Sequence, residues 1–393
     1  MVLLERVRLK NYKSIASCDV ELASLTFLVG PNGSGKSNFL DALRFVRDAL
    51  RTSLEHALRD RGGVNEVRRR SSGHPTHFGI RLDFCLSERR RGHYAFEIAA
   101  QAHGGYEVRQ EECSVVGPHP ATFRVRNGQL LVAQPRGPAA AKDRLYLVSA
   151  SGLPEFREVH DALSRMGFYN LNPDRIRDLQ QPHVGDLLER DGSNLTSVLS
   201  QLESRAPERK ERIEQYLSRL VPGLEGVAVI KLGPKETLEF RQAIHGARYP
   251  WRFLAANMSD GTLRALGILV CLFQSGNSGA PRVPLVGIEE PEVALHPAAA
   301  GVLLDALREA SASTQVLVSS HSPDLLDSPE IPTEAILAVE AEEGVTRIGP
   351  VDEAGRSALR ERLYTPGELL RLNQLQPDRA AMPPSPGQLR LFD

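Results

Sequence analysis

LTFLVGPNGSGKSNFLDAL, residues 25–43, decides the fold. Leu25 to Val29 is a short, wholly apolar run, the pattern of a buried parallel strand. GPNGSGKS at 30–37 is a full match to GxxxxGK[ST]. From Ser37 to about Arg59 the chain reads as one long helix, with Phe39, Leu40, Leu43, Val46 and Leu50 on one face and Gly62-Gly63 as its stop. Strand, glycine loop and helix in this order form the setting in which the motif holds nucleotide phosphates, and a chance glycine-rich turn would lack the two flanking elements. The glycines let the backbone curl so that its N–H groups point inward as an anion nest, and the helix adds its positive end. Gly30, Asn32, Gly33, Ser34, Gly35, Lys36, Ser37 and Asn38 are therefore the expected nucleotide-binding residues. Lys36 is expected on the β- and γ-phosphates, and the Ser37 hydroxyl on Mg²⁺.

Working outward, Val2 to Leu9 alternates as a strand does, with Ser17 to Leu22 as its hairpin partner. From His77 to about Val132 the period is two, and turns rich in Gly, Pro and His cut it into an antiparallel meander. Residues 133–143 read as a loop and Leu145 to Ser149 as a further strand. Pro154 to about Val221 is mostly helical, with RDGSNLTSVLSQLES as its clearest amphipathic piece. Two strands follow, GVAVIKLG and TLEFRQ; then come a helix from Ser259 to Phe273, a strand from Val283 to Ile288, a helix from Pro297 to Ala310 and a strand from Gln315 to Ser319. The expected class is α/β, a P-loop NTPase with an antiparallel β lobe, a mainly parallel core sheet and a short helical insert. The expected segments are 1–153 for the N-terminal lobe, 154–221 for the insert, 222–350 for the C-terminal lobe, 351–379 for an extension and 380–393 for a flexible, Pro-rich tail.

Three further motifs carry chemistry. VPLVGIEEPE at 283–292 is an apolar strand that ends in paired carboxylates. Alone it would read as a surface Glu pair; with the glycine loop it reads as Glu289 holding Mg²⁺ and Glu290 acting as general base on the attacking water. MSDGTLR at 258–264 opens a helix, with Ser259 as a cap and Gly261 allowing close backbone approach. SSHSPDLLD at 319–327 ends a short apolar strand in His321.

In this order the four motifs resemble the ABC-type ATPases of the RecF, SMC and OLD-like group, and RLKNYKSI followed by LTFLVGPNGSGKSNFLDAL resembles the group's N-terminus. The resemblance implies an ABC-type head of two lobes that binds ATP and Mg²⁺, with Glu290 and His321 as catalytic residues. It further implies that Ser259, Asp260, Gly261 and Thr262 contact the γ-phosphate held by the opposite subunit, in an ATP-dependent homodimer or a larger oligomer. Glu289 stands where the group usually has Asp, and His296 where it often has Asp. The insert is too short for SMC-like arms, and no carboxylate cluster of a TOPRIM nuclease follows His321, so the resemblance is to stand-alone members without that domain. Such members imply a separately encoded effector, a nuclease above all, in bacterial antiviral defence. The alternative is a RecF-like DNA-binding ATPase in DNA repair or replication maintenance; a transporter role fits the signature poorly.

Net charge is −1, so no global basic field advertises nucleic acid; Arg68-Arg69-Arg70 and Arg89-Arg90-Arg91 can contact DNA phosphates or lie as solvated turns. Four scattered cysteines read as free thiols of a cytoplasmic protein, and the longest apolar run, Ala265 to Phe273, is too short to span a bilayer. Gln388-Leu389-Arg390-Leu391-Phe392 resembles the pentapeptide with which bacterial proteins dock on the sliding clamp, and the other reading is a short end packed on its own domain.

Overall fold

Alternating burial along β1 (Leu4–Tyr12) and β2 (Ile15–Glu21) folds them into the expected hairpin, with Leu9 opposite Cys18. In the computed structural model, residues 3–71, 75–102, 104–183, 187–274, 283–383 and 385–392 are described, so Val2 lies outside them. β3 (Leu25–Val29) is buried at all five positions, as its apolar run requires. The long helix expected after the glycine loop is instead two, Lys36–Arg51 and Leu54–Arg59. Ser53 makes the break: its hydroxyl accepts from His56 N at 3.1 Å and caps the second helix.

The meander is as expected: β4 (His77–Ser87), β5 (Arg90–Ala100), β6 (Tyr106–Val116), β7 (Ala121–Arg126) and β8 (Gln129–Gln134) pair antiparallel in sequence. The strand expected at Leu145 to Ser149 is a short helix, Tyr146–Ala150. Its cap comes from far away in sequence. The buried Glu111 carboxylate on β6 accepts from Tyr94 Oη at 3.0 Å, from Leu147 N at 2.8 Å and from Tyr146 N at 2.5 Å.

From Gly167 the chain builds a second unit. β9 (Gly167–Tyr169) falls inside the stretch read as helical and pairs parallel with β13 (Leu285–Glu289), which pairs parallel with β14 (Gln315–Ser320). β10 (Leu224–Leu232), β11 (Lys235–Gln242) and β12 (Trp251–Leu254) form a separate antiparallel sheet. The helix Asp260–Phe273 is buried on nearly every side and is the apolar centre of this unit. β15 (Ile336–Glu342) and β16 (Val345–Pro350), both unread in the sequence, return to the first unit, whose strand order is β8-β7-β6-β5-β4-β1-β2-β16-β15-β3. The two compact units are Met1–Met166 with Pro329–Tyr364 and Leu369–Asp393, and Gly167–Ser328 with Thr365–Glu368. The α/β class expected from the sequence holds.

An aromatic cluster of Tyr12, Phe45, Phe78 and Phe96, with ring centroids 5.5–6.2 Å apart, fills the core of the first unit. The expectation of a free, extended tail does not hold. Leu389 and Leu391 are buried, Arg81 Nη1 donates to Leu391 O at 3.1 Å, and Leu391 occupies space that only a glycine at position 79 leaves open. The segment packs on β4 because its two leucines find an apolar seat there. The arginine triplets are largely committed to internal acceptors: Arg68 to Pro75 O and Asn65, Arg70 to Glu66, Arg90 to Glu158 and Glu155 O, and Arg91 to Glu5. Among the described residues, no helix is long and apolar enough to cross a membrane.

Candidate nucleotide site

In the first unit the glycine loop is shaped from behind. A Cβ on Gly30 would stand 1.9 Å from Val339 O on β15, and one on Gly35 would stand 2.0 Å from Thr346 Oγ1 on β16. Glycine is required at 35 twice over, because its φ is +104°. Thr346 Oγ1 donates to Ser34 O at 2.9 Å and shares a 2.7 Å hydrogen bond with Ser14 Oγ, to which Asn38 Nδ2 donates at 2.6 Å. Ser14 and Thr346 were missed in the sequence: they lie 332 positions apart and no local pattern joins them.

The front of the loop is different. Asn32, Gly33 and Ser37 are exposed, and nothing stands within 4 Å of a Cβ placed on Gly33. Ser34 Oγ is buried without a hydrogen-bond partner among the described residues. No side chain caps the helix Lys36–Arg51, and the first amides of a helix have no intrahelical acceptor. Lys36 is buried and its Nζ donates to Gly30 O at 2.8 Å and Pro31 O at 2.9 Å, folded over its own loop. Uncapped amides and an orphan hydroxyl are what an anionic ligand would satisfy.

The same helix is anchored by Asp41. Its carboxylate takes Lys13 Nζ at 2.6 Å, Arg61 Nη2 at 3.0 Å, Arg44 and the Tyr12 hydroxyl at 2.9 Å. Burial opposes ionisation, but Arg61, Arg44 and Lys13 outweigh it and hold the carboxyl well below the usual range. A depressed folded pKa gives stability that is present above the ordinary 3.8 and is lost as pH falls through and below it. Asp41→Asn, which leaves nearly buried Arg61 with Asp48 as its one carboxylate partner among the described residues, is expected to lose about 3 kcal/mol at neutral pH. In denaturant titrations the gap to the parent chain should narrow below about pH 4. A constant gap across pH would contradict the ion-cluster account.

In the second unit Glu290 follows β13 with φ +45°, a left-handed conformation that costs a non-glycine residue on the order of 1–3 kcal/mol. Glu290 N donates to Ser319 O at 2.9 Å. Arg264, from the buried helix, donates to Glu290 O at 3.2 Å, Glu289 O at 3.4 Å and Leu171 O at 3.2 Å. Burial lowers the Arg264 pKa, against the opposing pull of Glu290, Glu292 and Glu289. Glu290 Oε1 lies 3.1 Å from His321 Nδ1, so the structure brings these two expected catalytic residues together. Glu292 fixes the backbone behind the histidine, accepting from Ser320 Oγ at 2.6 Å and His321 N at 3.3 Å. Glu289 accepts from Arg190 Nη2 at 2.9 Å. Arg264 and Arg190 escaped the sequence reading because their roles rest on long-range contacts.

Ser259 caps the helix Asp260–Phe273 as expected, its Oγ accepting from Thr262 N at 3.2 Å and lying 2.9 Å from Thr262 Oγ1. Asp260 pairs with Arg177. A Cβ on Gly261 would stand 2.4 Å from Ala294 O, so the 290–297 loop lies against this turn and glycine admits it. His296, in that loop, caps a 3-10 turn by accepting from Ala298 N at 3.1 Å. Ser259 and Asp260 stay exposed.

A magnesium ion needs only one or two protein oxygens and takes the rest from water and phosphate. Within the first unit the Ser37 hydroxyl suits that chemistry, and the anion-ready loop suits a nucleoside triphosphate.

Residues 25–100 and 136–327 match the family described as AAA domain, putative AbiEii toxin, Type IV TA system. Among curated proteins the chain is similar to the chromosome partition protein Smc of Methanocaldococcus jannaschii, 51% identical over 47 residues. It is also similar to structural maintenance of chromosomes protein 1 of Saccharomyces cerevisiae, 36% identical over 70 residues. These stretches are 12% and 17% of this chain, and the chain spans only 4% and 6% of those relatives. Among solved structures, an Smc head bound to the C-winged helix domain of ScpA superposes with TM-score 0.56 at 15% identity, over 88% of this chain and 97% of that one. An Smc head with an extended coiled coil, bound to the C-terminal domain of ScpA from Pyrococcus furiosus, gives 0.54 at 13% identity, over 92% of this chain and all of that one. At these identities the structures speak for the fold, and the family match covers more than half of the chain. The chain belongs to this AAA-domain family, with a fold like that of an Smc head.

Proposed function

We propose that this chain binds and hydrolyses ATP with Mg²⁺, that ATP closes two copies into a dimer, and that the dimer switches a separate effector, a nuclease above all, in antiviral defence. The observation that carries the hydrolytic reading is Glu290, held at positive φ by Ser319 and Arg264 with its carboxylate against His321. Strain of this kind persists only where the surroundings enforce it, and it collects at reacting groups.

In this reading the glycine loop and Lys36 hold the phosphates. Ser37 and Glu289 would hold Mg²⁺, which would supply charge neutralisation at the phosphates. Glu290 takes the proton of the attacking water as the new oxygen–phosphorus bond forms, and the bond to the β-phosphate oxygen breaks to release ADP. His321 fixes the Glu290 carboxylate through Nδ1 and keeps Nε2 for the substrate. The Ser259–Thr262 turn, with Ser259 and Asp260 exposed, closes on nucleotide held by the second copy. The family description speaks of a putative toxin, which supports an ATP cycle that gates damage done by another component.

His321→Ala is expected to cut phosphate release by about 10²-fold while nucleotide affinity stays within a few-fold. A coupled phosphate assay and a fluorescent-nucleotide titration read the two quantities. Hydrolysis at the parent rate would remove His321 from the reaction.

A further inference from the structure

Glu289 is the expected metal ligand, yet its carboxylate is already taken. Arg190 Nη2 donates to Glu289 Oε1 at 2.9 Å, and Arg190 is the one cation paired with that carboxylate among the described residues. The strands explain how residues 99 positions apart meet. β9 pairs parallel with β13, with Tyr169 beside Ile288, so Asn170 follows β9 where Glu289 ends β13. Asn170 N donates to Arg190 O at 3.0 Å and Asn172 N to Asp191 O at 3.1 Å, which lays the 190–191 backbone along the chain leaving β9.

The backbone around Arg190 is pinned, and its side chain is not. Buried Asn194 accepts from Glu189 N at 2.8 Å and donates to Leu187 O at 2.9 Å. Buried Gln180 donates to Gly192 O at 3.0 Å and accepts from Thr196 N at 2.9 Å. The Arg190 side chain is 42% exposed and holds only Glu289 among the described residues. Beside it opens a cavity of about 680 Å³, lined by Arg190 together with Asp178, Glu189 and Asp191. Three carboxylates therefore share one cavity with the guanidinium.

A part-exposed ion pair of one contact contributes little to stability. Its effect falls on the site. A guanidinium keeps its charge at every working pH, so Arg190 cannot vacate Glu289 by losing a proton. It has to move, because a second cation on the same carboxylate would repel it. We propose that Arg190 is a displaceable counter-ion, which holds the Glu289 carboxylate in place while the site is empty and yields it to a divalent cation by swinging into the neighbouring cavity. Arg190 is then a positioning residue that sets how much divalent cation is needed to load the site. The inference rests on the metal role proposed for Glu289.

Mn²⁺ is the probe, with the free ion counted by paramagnetic resonance against the full chain loaded with one equivalent of a non-hydrolysable ATP analogue. Arg190→Ala should tighten Mn²⁺ about fivefold, the scale of one exposed ion pair. Arg190→Lys keeps the charge at a single-contact pair and should stay near the parent. Glu289→Gln should weaken Mn²⁺, and in that background most of the gain from Arg190→Ala should vanish, because no carboxylate is left to free. An undiminished gain there would mark simple repulsion at a distance and overturn the proposal. Parent-like Mn²⁺ affinity in Arg190→Ala would overturn it too, as would weaker binding of the analogue in EDTA, which would put Arg190 on the phosphates. Arg190 is exposed, and circular dichroism checks that each variant folds. If Glu289→Gln itself holds Mn²⁺ as the parent does, the metal reading of Glu289 fails and takes this inference with it; if only Arg190→Ala is silent, that reading stands and the counter-ion alone falls.

Discussion

Lys36→Ala is expected to abolish detectable ATP binding. Hydrogen bonds to charged groups contribute about 1.5–3 kcal/mol each, or roughly 10- to 150-fold in affinity. The variant loses the ammonium that meets the phosphates and also the two bonds that tie Nζ to Gly30 O and Pro31 O. Pro31 O keeps its bond from Ser34 N at 3.2 Å, so the loop loses part of what holds its shape as well as charge. The shape effect and the charge effect separate with Lys36→Arg. It keeps the charge but swaps a compact ammonium for a planar fork at a buried position, so it should recover only part of the affinity. Isothermal titration with ATP and Mg²⁺ reads both variants. Parent-like affinity in Lys36→Ala would detach the glycine loop from nucleotide binding altogether.

The second large effect is expected from Glu290→Gln. The amide is the same shape as the carboxylate and its oxygen can still face His321 Nδ1, so the strained turn around it should survive. What is lost is the base. Removal of a general base typically costs 10²- to 10⁴-fold, so phosphate release should fall by that factor while ATP binding persists or tightens. Glu289, Glu290 and Glu292 share one stretch of chain, and removing one of these three charges should ease the approach of a triphosphate. A single-turnover assay should show ATP retained on the variant long after the parent has converted it to ADP. Parent-like turnover would show that the proton is taken elsewhere.

How much of this was legible beforehand differs between the two halves of the chemistry. The glycine loop was fully legible, because its physics is local: a buried strand, glycines at positive φ and a helix start all lie within 25–43. Glu289, Glu290 and His321 were legible as candidates from motif order, and the Ser259 cap from its spacing to Thr262. What holds them was not. Arg264 on the Glu290 carbonyl, Arg190 on Glu289, and Ser14 with Thr346 behind the loop are contacts between segments far apart in sequence.

The misread elements have the same origin. Tyr146–Ala150 looks like a strand by composition and becomes helical because Glu111, 35 positions away, satisfies its first amides. β15 and β16 carry the backs of Gly30 and Gly35, yet their own sequence announces no site. The tail looked free because Pro-rich spacers usually are. Its two leucines instead meet an apolar seat that Gly79 opens on β4.

The central claim is an ATP-driven dimer switch, and its most direct test is the mass of Glu290→Gln in solution. Sedimentation equilibrium with saturating ATP and Mg²⁺ is predicted to give a dimer. The same variant without nucleotide, and Lys36→Ala with ATP, are predicted to stay at the 43.2 kDa of one chain. A Glu290→Gln chain that holds ATP and remains a monomer would contradict the account.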